Sequence, residues 1–129
     1  MRKYWTILIA ALLIFSTSVQ ANESKEGSLS PYAKLETFTV NLQGLMQYLQ
    51  VSIALKIAKP EIAESIKTWS PVIRHELILL FSSQNGEELA TIEGKKKVMA
   101  AAKIAINKIL KLDGKEGVTD VLFESFVIQ

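Results

Sequence analysis

The chain has 129 residues, enough for one domain and too few for two ordinary ones. Apolar residues make up 49% and charged residues 22%, a composition that supports a core and excludes a disordered chain. The net charge of +2 comes from Arg2 and Lys3 and the rest balances, so there is no basic surplus to attract nucleic acid. With no cysteine and one histidine, His75, the chain lacks the residues for disulfides, thiolate catalysis, thiol-ligated zinc and iron–sulfur clusters.

The N-terminus reads as an export leader. Arg2 and Lys3 precede a 12-residue stretch, Tyr4 to Phe15, that is apolar except for Thr6. Val19-Gln20-Ala21 then offers small residues at the two positions a signal peptidase inspects, which places cleavage between Ala21 and Asn22. The run is short for a spanning helix, so residues 1–21 are expected to be a signal peptide or a short anchor. The two leading cations send the remainder out of the cytoplasm in either case. Residues 22–31 form a polar linker, and residues 32–129 the domain.

Tyr32 to Leu42 reads as a strand, with Phe38, Val40 and Leu42 alternating with polar residues. Gln43-Gly44 is a turn signal. From Leu45 to Ala58 the alternation is clearer: Leu49, Val51, Ile53, Leu55 and Ile57 share one face, and the other is mostly polar. These two strands are expected to form a hairpin. Pro60 opens a short helix with Ile62, Ala63 and Ile66 on its apolar side, and Ser70-Pro71 opens a second, with Ser70 as N-cap. Gln84-Asn85-Gly86 stops it. Thr91 caps a long third helix, on which Val98, Ala102, Ala105, Ile109 and Leu112 form a stripe and Asn107 lies with the lysines. Asp113-Gly114 closes that helix, and 117–129 is a final strand. There Val121, Phe123 and Val127 are expected on one face, and Leu122, Phe126 and Ile128 on the other. The expected fold class is α+β: a small antiparallel sheet, made of the N-terminal hairpin and the C-terminal strand, packed with two short helices and one long one.

Several segments carry a resemblance. Phe38-Thr39-Val40-Asn41-Leu42, Tyr48-Leu49-Gln50-Val51, Pro71-Val72-Ile73-Arg74, Leu80-Phe81-Ser82-Ser83, 89–95, Ile106-Asn107 and the terminal 121–129 follow in the order and spacing of the flagellar basal-body-associated protein FliL family. The likeness runs from Tyr32 to Gln129. It implies a stomatin-like fold and a non-enzymatic role at the flagellar basal body. It further implies association with the ion-driven stator units, as rings around the stator's periplasmic stalk that support rotation and motility.

Candidate partner or oligomer contacts are Leu122, Phe126 and Ile128, with Phe38 and Tyr48 as secondary candidates. Lys95-Lys96-Lys97 are candidates for contact with the cell envelope, since cations in a first helical turn oppose the helix dipole. With the cleavable leader they motivate the alternative reading, a soluble periplasmic module that binds lipid or cell-wall material and is unrelated to motility. His75 reads as a helix-surface residue, and Trp69 as either a plug between helix ends or a partner anchor. No catalytic, cofactor-binding or metal site is expected, nor a small-molecule substrate. The motifs of nucleotide-binding, zinc-protease, serine-hydrolase and calcium-binding proteins do not occur.

Overall fold

The computed structural model describes residues 30–44 and 46–129. The leader, its cleavage point at Ala21-Asn22 and most of the linker lie outside the described residues. In chain order the elements are β1 (Tyr32–Lys34), β2 (Phe38–Asn41), β3 (Tyr48–Ile57), α1 (Ile62–Thr68), α2 (Ser70–Ser82), α3 (Gly86–Leu89), α4 (Ile92–Leu110) and β4 (Val118–Ile128). This is a mixed α+β fold, with a four-stranded antiparallel sheet and, among the described residues, four helices.

The sheet is organised by β3. On one side β4 pairs with it from Leu49 to Ile57; on the other, β2 pairs with Leu49 and its neighbours and β1 with Ala54 to Lys56. The expected first strand is thus split in two around Leu35-Glu36-Thr37, where Thr37 Oγ1 and Ser52 Oγ lie 2.6 Å apart. The alternation in β3 does what its period dictates. Leu49, Val51, Ile53, Leu55 and Ile57 are all buried against the helices, while Tyr48, Gln50 and Lys56 are exposed on the opposite face. Burying five such side chains is worth about 1.5–3 kcal/mol each, which makes β3 the principal contributor to the core.

Four phenylalanines form a row through that core. Phe38, Phe81, Phe123 and Phe126 follow one another with ring centroids 6.1, 6.2 and 4.9 Å apart, tilted as aromatic pairs prefer. A cation closes each end: the Arg74 guanidinium lies 5.0 Å from the Phe38 centroid, and Lys95 Nζ lies 4.9 Å from that of Phe126.

The helices form one layer over the inner face. α1 and α2 are a single run bent at Trp69, whose N–H bonds to the Ser65 carbonyl while its own carbonyl accepts from Ile73. Pro71, which has no N–H to give, sits in the first turn after the bend. Ser70 therefore lies inside α2 and is not its cap; the N-cap position is Trp69, without a side-chain hydrogen bond. The expected stop at Asn85-Gly86 is a start as well. Asn85 Oδ1 accepts from the Glu87 N–H and begins the single turn α3, a helix additional to the three expected. Thr91 caps α4 as expected, accepting from the Gly94 N–H at 3.0 Å.

α4 ends at Lys111, which adopts the left-handed conformation (φ 57°), before the expected Asp113-Gly114. Asn107 corrects a second expectation. It is buried, 5% exposed, because its amide imitates a backbone ladder: Nδ2 donates to the Val118 carbonyl at 2.9 Å and Oδ1 accepts the Val118 N–H at 2.8 Å. The long helix is thereby pinned to the first residue of β4.

Candidate functional site

The helix layer covers the inner face of the sheet, and among the described residues no helix covers the outer face. Which β4 side chains reach that outer face is decided by two bulges. The register steps from Ser52 opposite Ser125 to Ile53 opposite Phe123, leaving Glu124 as the extra residue, and a second step leaves Thr119. A bulge reverses the alternation, so Val121 and Phe123 point inward before Glu124, and Phe126 and Ile128 point inward after it.

The candidate residues are redistributed accordingly. Leu122, Phe126 and Ile128 do not share a face, as strict alternation had them doing. Leu122 is outside, 37% exposed, while Phe126 and Ile128 pack against the core. Val127, expected inside with Phe123, is outside and exposed. Phe38 is 4% exposed, enclosed by Phe81 and Arg74, and belongs to the core. Tyr48 stands on the outer face as expected from its place on β3. Tyr32, not singled out by the sequence, joins it there, because β1 pairs with Lys56 in the register that turns Tyr32 outward.

Tyr32, Leu122, Lys34, Ala54 and Glu124 line an open groove of about 550 Å³ on this face. Ala54 is its floor, and Lys34 Nζ and Glu124 Oε1 meet across it at 2.9 Å. Beyond the groove, Tyr48 and Val127 form a second apolar area toward the other end of β3. Among the described residues, the far edge of β4 has no strand paired to it. Long unpaired edges invite another chain, and bulges such as those at Thr119 and Glu124 restrict where one can pair.

The three consecutive lysines diverge, since successive helical residues are turned by about 100°. Lys95 reaches inward, donating to the Ala90 carbonyl at 2.8 Å and lying over Phe126. Lys97 approaches Glu88 at 3.5 Å. Lys96 is exposed. His75 is exposed on α2, and Trp69 is half-exposed at the bend, so it does not plug the junction. Asp113 has a displaced acidity. Its carboxylate, accepting from the Glu116 and Lys115 N–H groups at 2.7 and 2.8 Å, is held below the ordinary aspartate range. Among the described residues, no three His, Cys, Asp or Glu side chains are placed to hold a metal ion, and no helix is long and apolar enough to cross a membrane.

An outer face of this kind offers exposed apolar surface for binding. Residues 32–129 match the family model for the flagellar basal body-associated protein FliL. The chain belongs to the FliL family. It is 33% identical over 118 residues to the flagellar protein FliL of Escherichia coli (strain K12), covering 88% of this chain and 77% of that one. It is 34% identical over 82 residues to the flagellar protein FliL of Aquifex aeolicus (strain VF5), covering 64% and 49%. FliL-family membership makes this a non-enzymatic, motility-associated protein of the flagellar basal body. The matched region begins at the first residue of β1 and runs through β4, so the bulged strand and the outer face are part of the family domain.

Proposed function

We propose that the domain acts by assembly on the periplasmic side of the inner membrane, where copies pack beside one another around the stalk of a stator unit in a stomatin-like arrangement. The observation that carries this reading is the uncovered outer face of the sheet, with Tyr32, Tyr48, Leu122 and Val127 exposed beside the open edge of β4. Aromatic and aliphatic side chains on a rigid sheet bury apolar area at small conformational cost. Contacts made better with an engaged stator than with a free one bias the equilibrium toward engagement. A difference of about 1–3 kcal/mol shifts occupancy roughly 5- to 150-fold. Envelope binding through Lys95-Lys96-Lys97 is the weaker reading, because two of the three ammonium groups already have partners within the domain.

Deletion of the gene tests the proposal. Swimming in soft agar should contract, and the purified chain should retain stator components in a pull-down. Undiminished swimming under high viscous load, with no stator component retained, would defeat it.

A further inference from the structure

The chain enters the domain at a basic pole. The Pro31 carbonyl accepts from the Ile57 N–H at 2.9 Å, and the Gly117 carbonyl from the Ala58 N–H at 3.0 Å. Asn107 of α4 is bonded to Val118 at the same end. The point of entry, the end of β3, the start of β4 and the last turns of α4 therefore lie together. Tyr48 and Gln129, bonded to each other, mark the opposite end.

Lys59 after β3, Lys103 and Lys108 on α4, and Lys111 and Lys115 in the turn that follows all belong to the entry pole. Asp113 and Glu116 are the acids of that turn, and the Asp113 carboxylate is engaged by backbone N–H groups. Among the described residues the ion pairs are Lys34–Glu124 and Lys97–Glu88, so no lysine of this pole is neutralised by an acid of the domain. Lys108 and Lys111 suit the negative end of the α4 dipole. Lys103 and Lys115 lie outside that last turn, and the dipole does not account for them. Lys103 is drawn into the same patch, for a Cβ at Gly114 would lie 3.1 Å from its Cε.

An apolar residue stands among these charges. Ile104 is 70% exposed, and Lys108 follows it one turn on. With Lys103, Leu112 and Gly114 they line a shallow depression of about 380 Å³. An aliphatic side chain ringed by ammonium groups is the composition of a surface that meets an anionic bilayer. The cations reach lipid phosphates, and the apolar group passes between headgroups.

The covalent path selects the bilayer as the occupant. Residues 16–29 alone separate Ser30 from the apolar stretch Tyr4 to Phe15. A span of that length reaches at most about 50 Å. With the apolar stretch in a bilayer, the entry pole is the part of the domain held nearest the headgroups, and the tether raises the effective concentration of lipid around it. Lys95-Lys96-Lys97 begin α4 and lie away from this pole. We propose that the entry pole rests on an anionic phospholipid surface, with Ile104 entering the headgroup region and Lys103, Lys108, Lys111 and Lys115 meeting lipid phosphates. The end of the sheet at Tyr48 and Gln129 is then the part farthest from the bilayer. This orientation stands independently of assembly through the sheet face.

The chain contains no cysteine, so single labels are unambiguous. The full chain with Ile104→Cys, bearing an environment-sensitive fluorophore, is reconstituted at one copy per nanodisc. The discs are phosphatidylcholine with or without phosphatidylglycerol, and nitroxide-labelled lipid headgroups serve as quenchers. Met46→Cys, beside the opposite end and 84% exposed, is the control. Quenching at position 104 should be greater in anionic than in neutral discs by about fivefold or more, and should fall back at about 1 M salt, where charges are screened within about 3 Å. At position 46 it should be low in both lipids. Lys108→Glu with Lys115→Glu, both exposed positions, should remove the excess. Equal quenching in the two lipids, equal quenching at the two positions, or indifference to the charge reversals would each overturn the proposal. So would an excess that appears only with several copies per disc, which would assign the patch to a second copy.

Discussion

Lys34 Nζ lies 2.9 Å from Glu124 Oε1 although β1 and β4 are never hydrogen-bonded to each other. They meet across β3 because Ala54, between them, is small, and because Glu124 is the extra residue of a bulge. Both side chains are largely exposed, so their attraction itself contributes little. The bulge matters more. It lets Phe123 and Phe126, three residues apart, both enter the core, and leaves Leu122 and Val127 outside.

The two sets of side chains should separate in a stability measurement. Phe126→Ala removes a ring from the aromatic row and is expected to cost about 2–3 kcal/mol, less than a fully buried phenylalanine. Leu122→Glu, on the outer face, should stay within about 0.5 kcal/mol of the parent. Urea denaturation of the two variants gives both values; equal losses would mean that the faces are not divided as described.

Gly94 offers a case in which two principles predict opposite signs. Inside a helix, Gly→Ala is normally stabilising by about 1 kcal/mol. Here a Cβ would overlap the Glu88 carbonyl group, which α3 holds against the first turn of α4. Gly94→Ala is therefore expected to destabilise by about 1–3 kcal/mol. A rise in midpoint temperature would contradict that close approach.

Much of this fold was legible from the chain. The strict alternation of β3 has only one reading when one face must be buried, and Thr91 announced the start of α4 because its hydroxyl suits the orphan Gly94 N–H. The bulged strand was less legible. Strict alternation through Glu124 puts Phe126 opposite Phe123, whereas the bulge at Glu124 brings both to the same face. An amide on a helix usually faces solvent, and helical spacing sets Asn107 with the lysines; what buries it is Val118, eleven residues away, which local pattern does not reveal. Half of the outer face is hidden from the sequence for the same reason: Tyr48 follows from alternation, whereas Tyr32 depends on how β1 registers with Lys56.

Asn107→Ala should leave the N–H and the carbonyl of Val118 unpaired in a buried place, at a cost of about 2–4 kcal/mol. Amide exchange at Val118 should quicken more than exchange in the centre of β3. Unchanged protection at Val118 would show that Asn107 does not hold the strand.

Asp113 provides a pH signature. Its folded-state acidity is depressed by the Glu116 and Lys115 N–H groups, so the stability it adds is present above the ordinary aspartate pKa and is lost as pH falls through the folded value. In a carboxyl NMR titration Asp113 should have its midpoint below that of a model aspartate. Asp113→Asn should lower stability near neutrality, where the ionised carboxylate is the stronger acceptor, and converge with the parent as pH falls below the folded value, so that the variant loses less stability in acid. A midpoint at or above the ordinary value would contradict the turn geometry.

Assembly through the sheet face is tested most directly by torque in single motors. Cells carrying Leu122→Glu together with Val127→Glu, at parental protein levels, should rotate an attached bead with fewer torque steps under high load. Copies bearing a cysteine at Tyr48 should lose their cross-linked ladder in the same background. Parental step number and an unaltered ladder would contradict assembly through this face.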